Sequence, residues 1–329
     1  MALIDSFGRT ATDLRVSLTD RCNLRCTYCM PAEGLPWMPG PELLTLDELT
    51  RLIGLAVTRL GITNVRFTGG EPLLSPHLED VVAAAAALSP RPRIALTTNG
   101  IGLDKRADAL KRAGLDRVNV SLDTVDPDRF AVITRRRRLT DVIDGLAAAQ
   151  AAGLTPVKVN AVLDHETGLD DAVALLGFCL DHGYQLRIIE QMPLDAGHLW
   201  RRGDALTAEA ILTALRREFT LTPDPAPRGS APAELWQVDG GRGTVGVIAS
   251  VSTPFCGACD RTRLTADGQV RSCLFARQET DLRGLMRGGA DDETLVGAWQ
   301  DAMWAKAAGH GINEPGFVQP DRPMSAIGG

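Results

Sequence analysis

Short β-branched segments alternate with helical segments over the first two-thirds of this chain of 329 residues, and this alternation limits the fold more than any other feature. Glycines end several helical segments just before the next strand, as residues at the C′ position of a helix do. Strands that alternate with helices through short connections form a parallel sheet. The predicted strands are residues 14–18, 65–67, 94–97, 118–122, 157–162 and 186–189.

Right-handed crossovers curl such a sheet into a barrel. Six units are too few to close the eight-stranded barrel, so we predict an α/β fold in which a partial, TIM-like (β/α)6 barrel has an open side. A proline-rich linker at residues 221–234 precedes two hairpin-like patterns. We therefore predict that residues 1–220 form the partial barrel, and that residues 221–329 form a smaller β-rich segment that closes the open side.

Six of the seven cysteines lie in two tight triplets, one near each end of the chain. A cubane iron–sulfur cluster usually has four cysteine ligands, so a cluster held by three leaves one iron free for another ligand. Structural zinc is the alternative, but no histidine neighbours either triplet in the sequence. We predict two [4Fe-4S] clusters, the first held by Cys22, Cys26 and Cys29, and the second by Cys256, Cys259 and Cys273.

Composition and charge argue against several classes of function. The net charge of −6 does not favour general binding of nucleic acid. The sequence has neither an apolar run of membrane-spanning length nor a signal-peptide pattern, so we expect a cytoplasmic protein, whose thiols stay reduced. Cys179 lies in an apolar helical pattern and is expected to be a buried, inert thiol. The four consecutive arginines 135–138 are interpreted as a solvated loop or a structural ion-pair cluster.

The residues that follow the first two predicted strands resemble the radical S-adenosylmethionine superfamily. The first strand is followed by the pattern Cys-x3-Cys-x-Tyr-Cys, and the second by Thr-Gly-Gly-Glu-Pro at residues 68–72. The resemblance implies that the free iron binds the amino and carboxylate groups of S-adenosylmethionine. It also implies that the Gly-Gly-Glu-Pro segment binds the methionine amino group, and its glycines would let the backbone approach that ligand closely.

Further segments narrow this resemblance to the GTP 3′,8-cyclase family of molybdenum cofactor biosynthesis. They include VRFTGGEPLL, LTTNG, RVNVSLD, VKVNAV and the terminal Ile-Gly-Gly, so the resemblance covers nearly the whole chain. It implies a radical S-adenosylmethionine lyase that catalyses the first step of the pathway. In that step a 5′-deoxyadenosyl radical removes the ribose C3′ hydrogen of GTP, and the product is (8S)-3′,8-cyclo-7,8-dihydroguanosine 5′-triphosphate.

The resemblance also implies partners for this reaction. GTP is the substrate, and the open iron of the second cluster contacts its guanine base. An external low-potential electron donor supplies electrons, and the product passes to a cyclic pyranopterin monophosphate synthase. No nucleic-acid or membrane partner is expected, and a homodimer is left open.

Position by position, the resemblance assigns residues to both ligands. Arginine is suited to a triphosphate because its guanidinium fork binds phosphate oxygens bidentately. The residues implied for S-adenosylmethionine are Tyr28 (through its backbone), Gly70, Ser121 and Met192. The residues implied for GTP are Arg15, Arg66, Thr97, Lys158, Arg261 and Arg263.

Two further positions carry information from the resemblance. Gly328 and Gly329 resemble the flexible tail that enters the active site of the family. Asn64 stands where some relatives carry a lysine, so the phosphate contact of that lysine is not carried over to this chain.

Two alternatives remain beside this interpretation. A radical peptide-modifying enzyme with auxiliary clusters would use the same chemistry, although such enzymes usually have more C-terminal cysteines. A zinc-stabilised binding module would have no catalytic activity, and the metal content would separate it from an iron–sulfur enzyme. The G-x-G-x-x-G pattern at residues 241–246 lies inside a predicted hairpin, so it is not taken as a dinucleotide-binding motif.

Overall fold

A twelve-stranded sheet organises this computed structural model, which describes residues 2–328. A separate two-stranded sheet is formed by β1 and β2. The strands are β1 Leu3–Ile4, β2 Thr10–Ala11, β3 Asp13–Ser17, β4 Asn64–Thr68, β5 Arg93–Thr98, β6 Arg117–Ser121, β7 Lys158–Val162, β8 Gln185–Ile189, β9 Leu221–Pro223, β10 Glu234–Val238, β11 Gly243–Ile248, β12 Arg261–Leu264, β13 Gln269–Arg271 and β14 Thr280–Asp281.

Helices connect the central strands and cover the sheet. They are α1 Leu46–Thr58, α2 Leu78–Ala86, α3 Ala107–Ala113, α4 Pro127–Thr134, α5 Leu139–Ala151, α6 Gly168–His182, α7 Ala208–Leu215, α8 Leu282–Arg287, α9 Asp292–Trp304 and α10 Met324–Ile327. No helix within residues 2–328 is long and apolar enough to cross a membrane.

The six predicted barrel strands are confirmed as β3 to β8, which pair in parallel and in chain order. Helix α1 shows how the sequence sets these units. The Thr45 hydroxyl accepts from the backbone N–H of Glu48, and the Glu48 carboxylate accepts from the backbone N–H of Thr45. This capping box satisfies N–H groups that the first turn would otherwise leave unpaired.

Strands of the C-terminal segment extend both edges of this six-stranded sheet. β12 pairs in parallel with β3, and β11 pairs in parallel with β8. The two predicted hairpins are β10–β11 and β12–β13, both antiparallel. The partial barrel with a C-terminal segment against its open side is therefore confirmed. The predicted linker is partly wrong, because its residues Leu221–Pro223 form β9, an edge strand paired with β10.

The main hydrophobic core draws on both parts of the chain. Leu14 and Val65 of the barrel belong to the same buried cluster as Val245, Leu264 and Trp299 of the C-terminal segment. The domain boundary after residue 220 stays a prediction. Cys179 is fully buried in α6, and this burial raises the pKa of its thiol to about 12, as expected of an inert core cysteine.

Candidate active site

Both cysteine triplets line one cavity of about 340 Å³. The first triplet lies on the loop after β3, where enzymes with TIM-type barrels hold their catalytic groups. The second lies on the chain that surrounds β12 and β13, which extend the barrel at β3. The structure thus brings together Cys22, Cys26, Cys29, Cys256, Cys259 and Cys273.

The first cysteine loop is held by the end of α4. The backbone N–H groups of Arg25 and Thr27 donate to the carbonyls of Thr134 and Ile133. Arg135 then donates from Nη1 to the carbonyls of Arg25 and Met30, at 2.9 Å each. Arg135, one of the four consecutive arginines, therefore holds the first cysteine loop in place.

The rest of that run is largely structural. Arg137 pairs with Asp128, and Arg138 pairs with Asp141, in exposed ion pairs. The prediction of a structural ion-pair cluster applies to these two arginines. It does not describe Arg135, whose backbone lies in the left-handed region at φ 56°.

The Gly-Gly-Glu-Pro loop packs directly on the chain before the first cysteine. A Cβ atom on Gly69 would lie 2.5 Å from the Thr19 carbonyl oxygen, and one on Gly70 would lie 2.3 Å from that of Arg21. The backbone N–H of Gly70 donates to the Thr19 carbonyl at 2.7 Å. The close approach of the neighbouring loop thus requires glycine at both positions, and the approach of a ligand to these glycines stays a prediction.

Glu71 of this loop is a buried carboxylate that joins the loop to the end of β5. It accepts hydrogen bonds from the backbone N–H of Leu73, the Thr98 hydroxyl and the backbone N–H of Asn99. Burial raises the pKa of Glu71 to about 7. Asn99 donates from Nδ2 to Asn23 Oδ1 at 2.6 Å, so this network reaches the first cysteine loop. The LTTNG segment contains Asn99, but sequence reasoning assigned it no role.

The four residues assigned to S-adenosylmethionine line the cavity beside the first triplet: Tyr28, Gly70, Ser121 and Met192. The Tyr28 hydroxyl donates to Asp123 Oδ2 at 2.8 Å, and Asp123 Oδ1 accepts from the backbone N–H of Val162. Burial raises the pKa of Asp123 to about 6. Asp123 was not predicted from the sequence, and it fixes the tyrosine that precedes Cys29.

Five of the six residues assigned to GTP line the same cavity: Arg15, Arg66, Thr97, Arg261 and Arg263. Lys158 does not line the cavity. It lies on the same face of β7 as Asn160, which does line it, because residues two apart in a strand share a face. Arg187 and Asn160 line the cavity but were not predicted from the sequence. Arg187 could have been found, because it is a charged residue inside the apolar strand β8, just as Arg15 and Arg66 are charged residues inside β3 and β4.

The buried cations of this wall repel one another. Burial, and then the charge of Arg66, lower the pKa of Arg15 to about 9. Burial, and then the charge of Arg187, lower the pKa of Lys158 to about 7. Two acids lie near the group: Asp13 Oδ2 is 3.9 Å from an Arg66 Nη atom, and Asp260 Oδ1 is 3.9 Å from an Arg261 Nη atom. A group of buried and half-buried cations that outnumbers its acids calls for an anionic ligand.

Unsatisfied polar atoms point to the same conclusion. Among the described residues, the Nε atoms of Arg15, Arg66 and Arg187 and the Oδ1 atom of Asn160 are buried without a hydrogen-bond partner. Buried polar groups in native proteins are nearly always paired, so an orphaned set around a cavity indicates a ligand that supplies the partners. Asn64, at the start of β4, donates from Nδ2 to Thr63 Oγ1 at 3.1 Å, and its effect on phosphate binding stays a prediction.

The second cysteine loop is held from several directions. Arg9 donates from Nη1 to the Cys256 carbonyl at 2.8 Å and is paired with Asp5. Arg271, almost fully buried, donates to the carbonyls of Leu274 and Ala276, which follow Cys273. Neither arginine was predicted from the sequence. Arg9 is distant in sequence from the second triplet, and no motif marks Arg271.

His310 also lines the cavity, but both of its ring nitrogens are engaged. Nδ1 accepts from the backbone N–H of Ile312 at 3.1 Å, so Nε2 carries the proton and donates to the Ser250 carbonyl at 3.0 Å. His310 is therefore not free to act as a fourth ligand. Among residues 2–328, no three His, Cys, Asp or Glu side chains are grouped to hold a single metal ion. Two sets of three half-buried thiols fit clusters that each keep an open iron.

The C-terminal tail reaches the same cavity wall. The Gly328 carbonyl accepts from Arg263 Nη1 at 2.6 Å. A Cβ atom on Gly328 would lie 2.8 Å from Thr68 Cγ2, so the tail fits closely above β3 and β4. Gly329 lies outside the described residues.

Comparison with known proteins agrees with this site. The radical SAM superfamily matches residues 16–179, and the family called Molybdenum Cofactor Synthesis C matches residues 184–312. The chain is 76% identical to the GTP 3′,8-cyclase of Mycobacterium sp. strain KMS over 99% of this chain and 93% of the relative. It is 73% identical to that of Mycobacterium marinum over 99% of this chain and 92% of the relative. This chain belongs to the GTP 3′,8-cyclase family.

The predicted resemblance is thereby confirmed, and it implies S-adenosylmethionine and an iron–sulfur cluster as cofactors. The presence of a second cluster stays a prediction. Among solved structures, the crystal structure of Streptococcus suis SuiB is similar, with a TM-score of 0.59 and 13% identity over 96% of this chain and 77% of that chain. This likeness supports the fold alone.

Proposed function

We propose that this chain converts GTP to (8S)-3′,8-cyclo-7,8-dihydroguanosine 5′-triphosphate, the first step of molybdenum cofactor biosynthesis. The observation that carries the proposal is the convergence of two thiol triplets and a buried group of arginines on one cavity. Full-length relatives named GTP 3′,8-cyclase support it. A peptide-modifying enzyme would not need so many buried cations with unsatisfied nitrogens around its substrate.

The two triplets would each hold a [4Fe-4S] cluster, and Tyr28, Gly70, Ser121 and Met192 would contact S-adenosylmethionine. When bound, the first cluster and S-adenosylmethionine would supply the 5′-deoxyadenosyl radical for removal of the ribose C3′ hydrogen of GTP. The second triplet would leave one iron open to the guanine base. The protein's part is to bind, orient and enclose the reactants.

The cationic wall would hold the triphosphate so that the ribose faces the first triplet. Arginines on several strands can each bind adjacent phosphate oxygens through their guanidinium groups. Together these contacts would fix the nucleotide in one orientation. Thr97 Oγ1 accepts from Asn119 Nδ2 at 3.2 Å, which leaves the Thr97 hydroxyl proton free to donate to a GTP oxygen. The residues in this role are Arg15, Arg66, Thr97, Lys158, Arg187, Arg261 and Arg263.

The direct test is to incubate the reconstituted, reduced protein with GTP and S-adenosylmethionine under anaerobic conditions. We expect 5′-deoxyadenosine and a cyclised nucleotide, with about eight irons per chain for two cubane clusters. A colourless protein with stoichiometric zinc and neither product would contradict the proposal.

Replacing one ligand of the second triplet separates the two halves of the site. Cys256→Ala is expected to retain reductive cleavage of S-adenosylmethionine and to lose cyclisation of GTP, because only the second cluster loses a ligand. The yields of 5′-deoxyadenosine and of cyclised nucleotide measure the two activities separately. Undiminished cyclisation would remove the assigned role of the second cluster.

The setting of the reaction belongs to the same proposal. An external low-potential donor would supply electrons, and the product would pass to a cyclic pyranopterin monophosphate synthase. We place the protein in the cytoplasm, where a reducing environment keeps the six cavity thiols available to the clusters.

A further inference from the structure

Lys306 places a buried ammonium group beside the second cysteine loop. The residue is 3% exposed. Its Nζ atom donates to the Arg261 carbonyl at 2.9 Å and lies 3.4 Å from both the carbonyl oxygen and the Sγ atom of Cys259. No carboxylate in the described part of the chain forms an ion pair with it. Burying a cation without a compensating charge is costly, so the adjacent sulfur is the natural site of that negative charge.

Rigid elements place Lys306 at this position. Helix α9 packs on β12 through Trp299, which is fully buried and donates from Nε1 to Thr262 Oγ1 at 3.1 Å. The helix ends at Trp304, and the backbone N–H of Lys306 donates to the Met303 carbonyl. The lysine therefore extends from the end of a packed helix rather than from a mobile surface loop.

Cys259 is surrounded by positive charge. Arg261 donates from Nη1 to Cys259 Sγ at 3.5 Å, in addition to the contact from Lys306. Two cations therefore donate to one sulfur of the second triplet.

The first triplet has acidic neighbours instead. Glu71 accepts from the backbone N–H of Asn99, whose amide contacts the first cysteine loop, and Asp123 accepts from the hydroxyl of Tyr28, which precedes Cys29. The protein thus places acids near one triplet and two hydrogen-bonding cations at the other.

We propose that Lys306 is a positioning residue for the second iron–sulfur cluster, which hydrogen-bonds the Cys259 sulfur and raises the reduction potential of that cluster. This inference rests on the proposed function, because it takes the second triplet to hold a cluster. Reduction by an external one-electron donor adds one electron and no proton, so the cluster becomes more negative by one charge. A neighbouring ammonium group and an N–H···S hydrogen bond stabilise that more negative state.

The test measures a midpoint potential rather than activity. In the full-length chain, replacing Cys22, Cys26 and Cys29 with alanine leaves only the second triplet to hold a cluster. Lys306→Met removes the charge and the donor at similar side-chain length. We expect the midpoint potential, measured by dithionite titration followed by electron paramagnetic resonance, to move to a more negative value.

Matched variants show whether charge is the cause. Lys306→Arg keeps a cation and is expected to stay close to the parent potential, whereas Lys306→Gln keeps a donor without charge and is expected to shift part of the way. Lys105→Met removes an exposed lysine and is expected to have no effect. In a full-length chain without the second triplet, Lys306→Met is expected to leave the potential of the first cluster unchanged.

Iron and sulfide analysis separates the possible failures. If the parent chain with only the second triplet binds no cluster, the proposed two-cluster function fails, and this inference fails with it. If the cluster forms and its potential is the same in the parent and in Lys306→Met, only the inference is overturned. Should Lys306→Met not assemble a cluster, Lys306→Gln decides the matter, because an unshifted potential in that variant also overturns it.

Discussion

Arg187 is the cavity residue whose role sequence reasoning missed and whose removal is most informative. Its Nη2 atom donates to Asn119 Oδ1 at 2.9 Å, while its Nε atom is buried without a partner among the described residues. Burial, and then the charge of Arg117, lower its pKa to about 9. Its positive charge is therefore maintained at a cost that a bound anion would offset.

We expect Arg187→Leu to weaken GTP binding by about tenfold to a hundredfold, since a hydrogen bond to a charged group contributes about 1.5–3 kcal/mol. Thermal stability without GTP is expected to be unchanged or higher, because the variant relieves repulsion among buried cations. Isothermal titration of the reconstituted protein without S-adenosylmethionine measures the affinity. Arg137→Leu, in an exposed ion pair, is the matched control. Equal GTP affinities in the two variants would count against a phosphate role for Arg187.

Lys158 predicts a pH dependence of GTP binding. Because the pKa of Lys158 is about 7 in the free protein, its side chain is largely deprotonated and neutral at pH 8. A triphosphate favours the charged form and raises that pKa, so binding at pH 8 takes up a proton, and affinity falls as the pH rises from about 7 to 8.5.

Calorimetry in buffers of different ionisation enthalpy measures this proton uptake. Lys158→Met is expected to lose the uptake and the part of the pH dependence that comes from the lysine. Any contribution from the phosphates of GTP itself remains in both proteins. Proton uptake that is identical in the two would place the titrating group elsewhere.

At the scale of elements, two loops depend on each other through their backbones. Gly70→Ala would place a Cβ atom 2.3 Å from the Arg21 carbonyl oxygen and 2.4 Å from that of Asp20, so one loop must move. We expect the variant to hold fewer irons at the first triplet and to lose cleavage of S-adenosylmethionine. Iron content and 5′-deoxyadenosine yield measure the two effects. Gly177→Ala in α6, where a Cβ atom would meet nothing within 4 Å, is the control and should retain both.

Which elements could be predicted depended on the length of their pattern. Strands β3 to β8 carry β-branched runs between helical segments, so their order followed from the sequence. Helix α4 is difficult to predict because it is short, with only Phe130, Ile133 and Thr134 buried. Its start was nevertheless marked by Asp126, which caps the helix, and by Pro127 at the first position.

The residues of the site also differ in how well the sequence predicts them. Local spacing in the sequence was enough to predict the cysteines, the Gly-Gly-Glu-Pro loop and the alternating Arg261 and Arg263. Lys306 could not be found in this way, because it lies 47 residues beyond Cys259 and reaches it only after α9 has packed on β12. Residues of this kind are defined by tertiary packing, and spacing alone does not reveal them.

At the scale of the whole molecule, the sheet makes the two parts of the chain interdependent. The C-terminal segment supplies the neighbours of both edge strands of the barrel, with β12 beside β3 and β11 beside β8. It also supplies Arg263, which binds the tail carbonyl at Gly328. An isolated barrel would expose the backbone groups of both edges, an arrangement that favours aggregation.

We therefore expect residues 1–220 and 221–329 to unfold together. Of the five tryptophans, Trp236, Trp299 and Trp304 lie after residue 220, so fluorescence reports mainly on the later part of the chain, while far-UV circular dichroism reports on the helices throughout. Coincident thermal transitions of the reduced, cluster-free protein would indicate one cooperative unit. Val245→Ala, at a fully buried position of β11 beside β8, should cost about 2 kcal/mol and lower both transitions together. Two separated transitions, of which only the fluorescence transition moved in the variant, would instead establish independent domains.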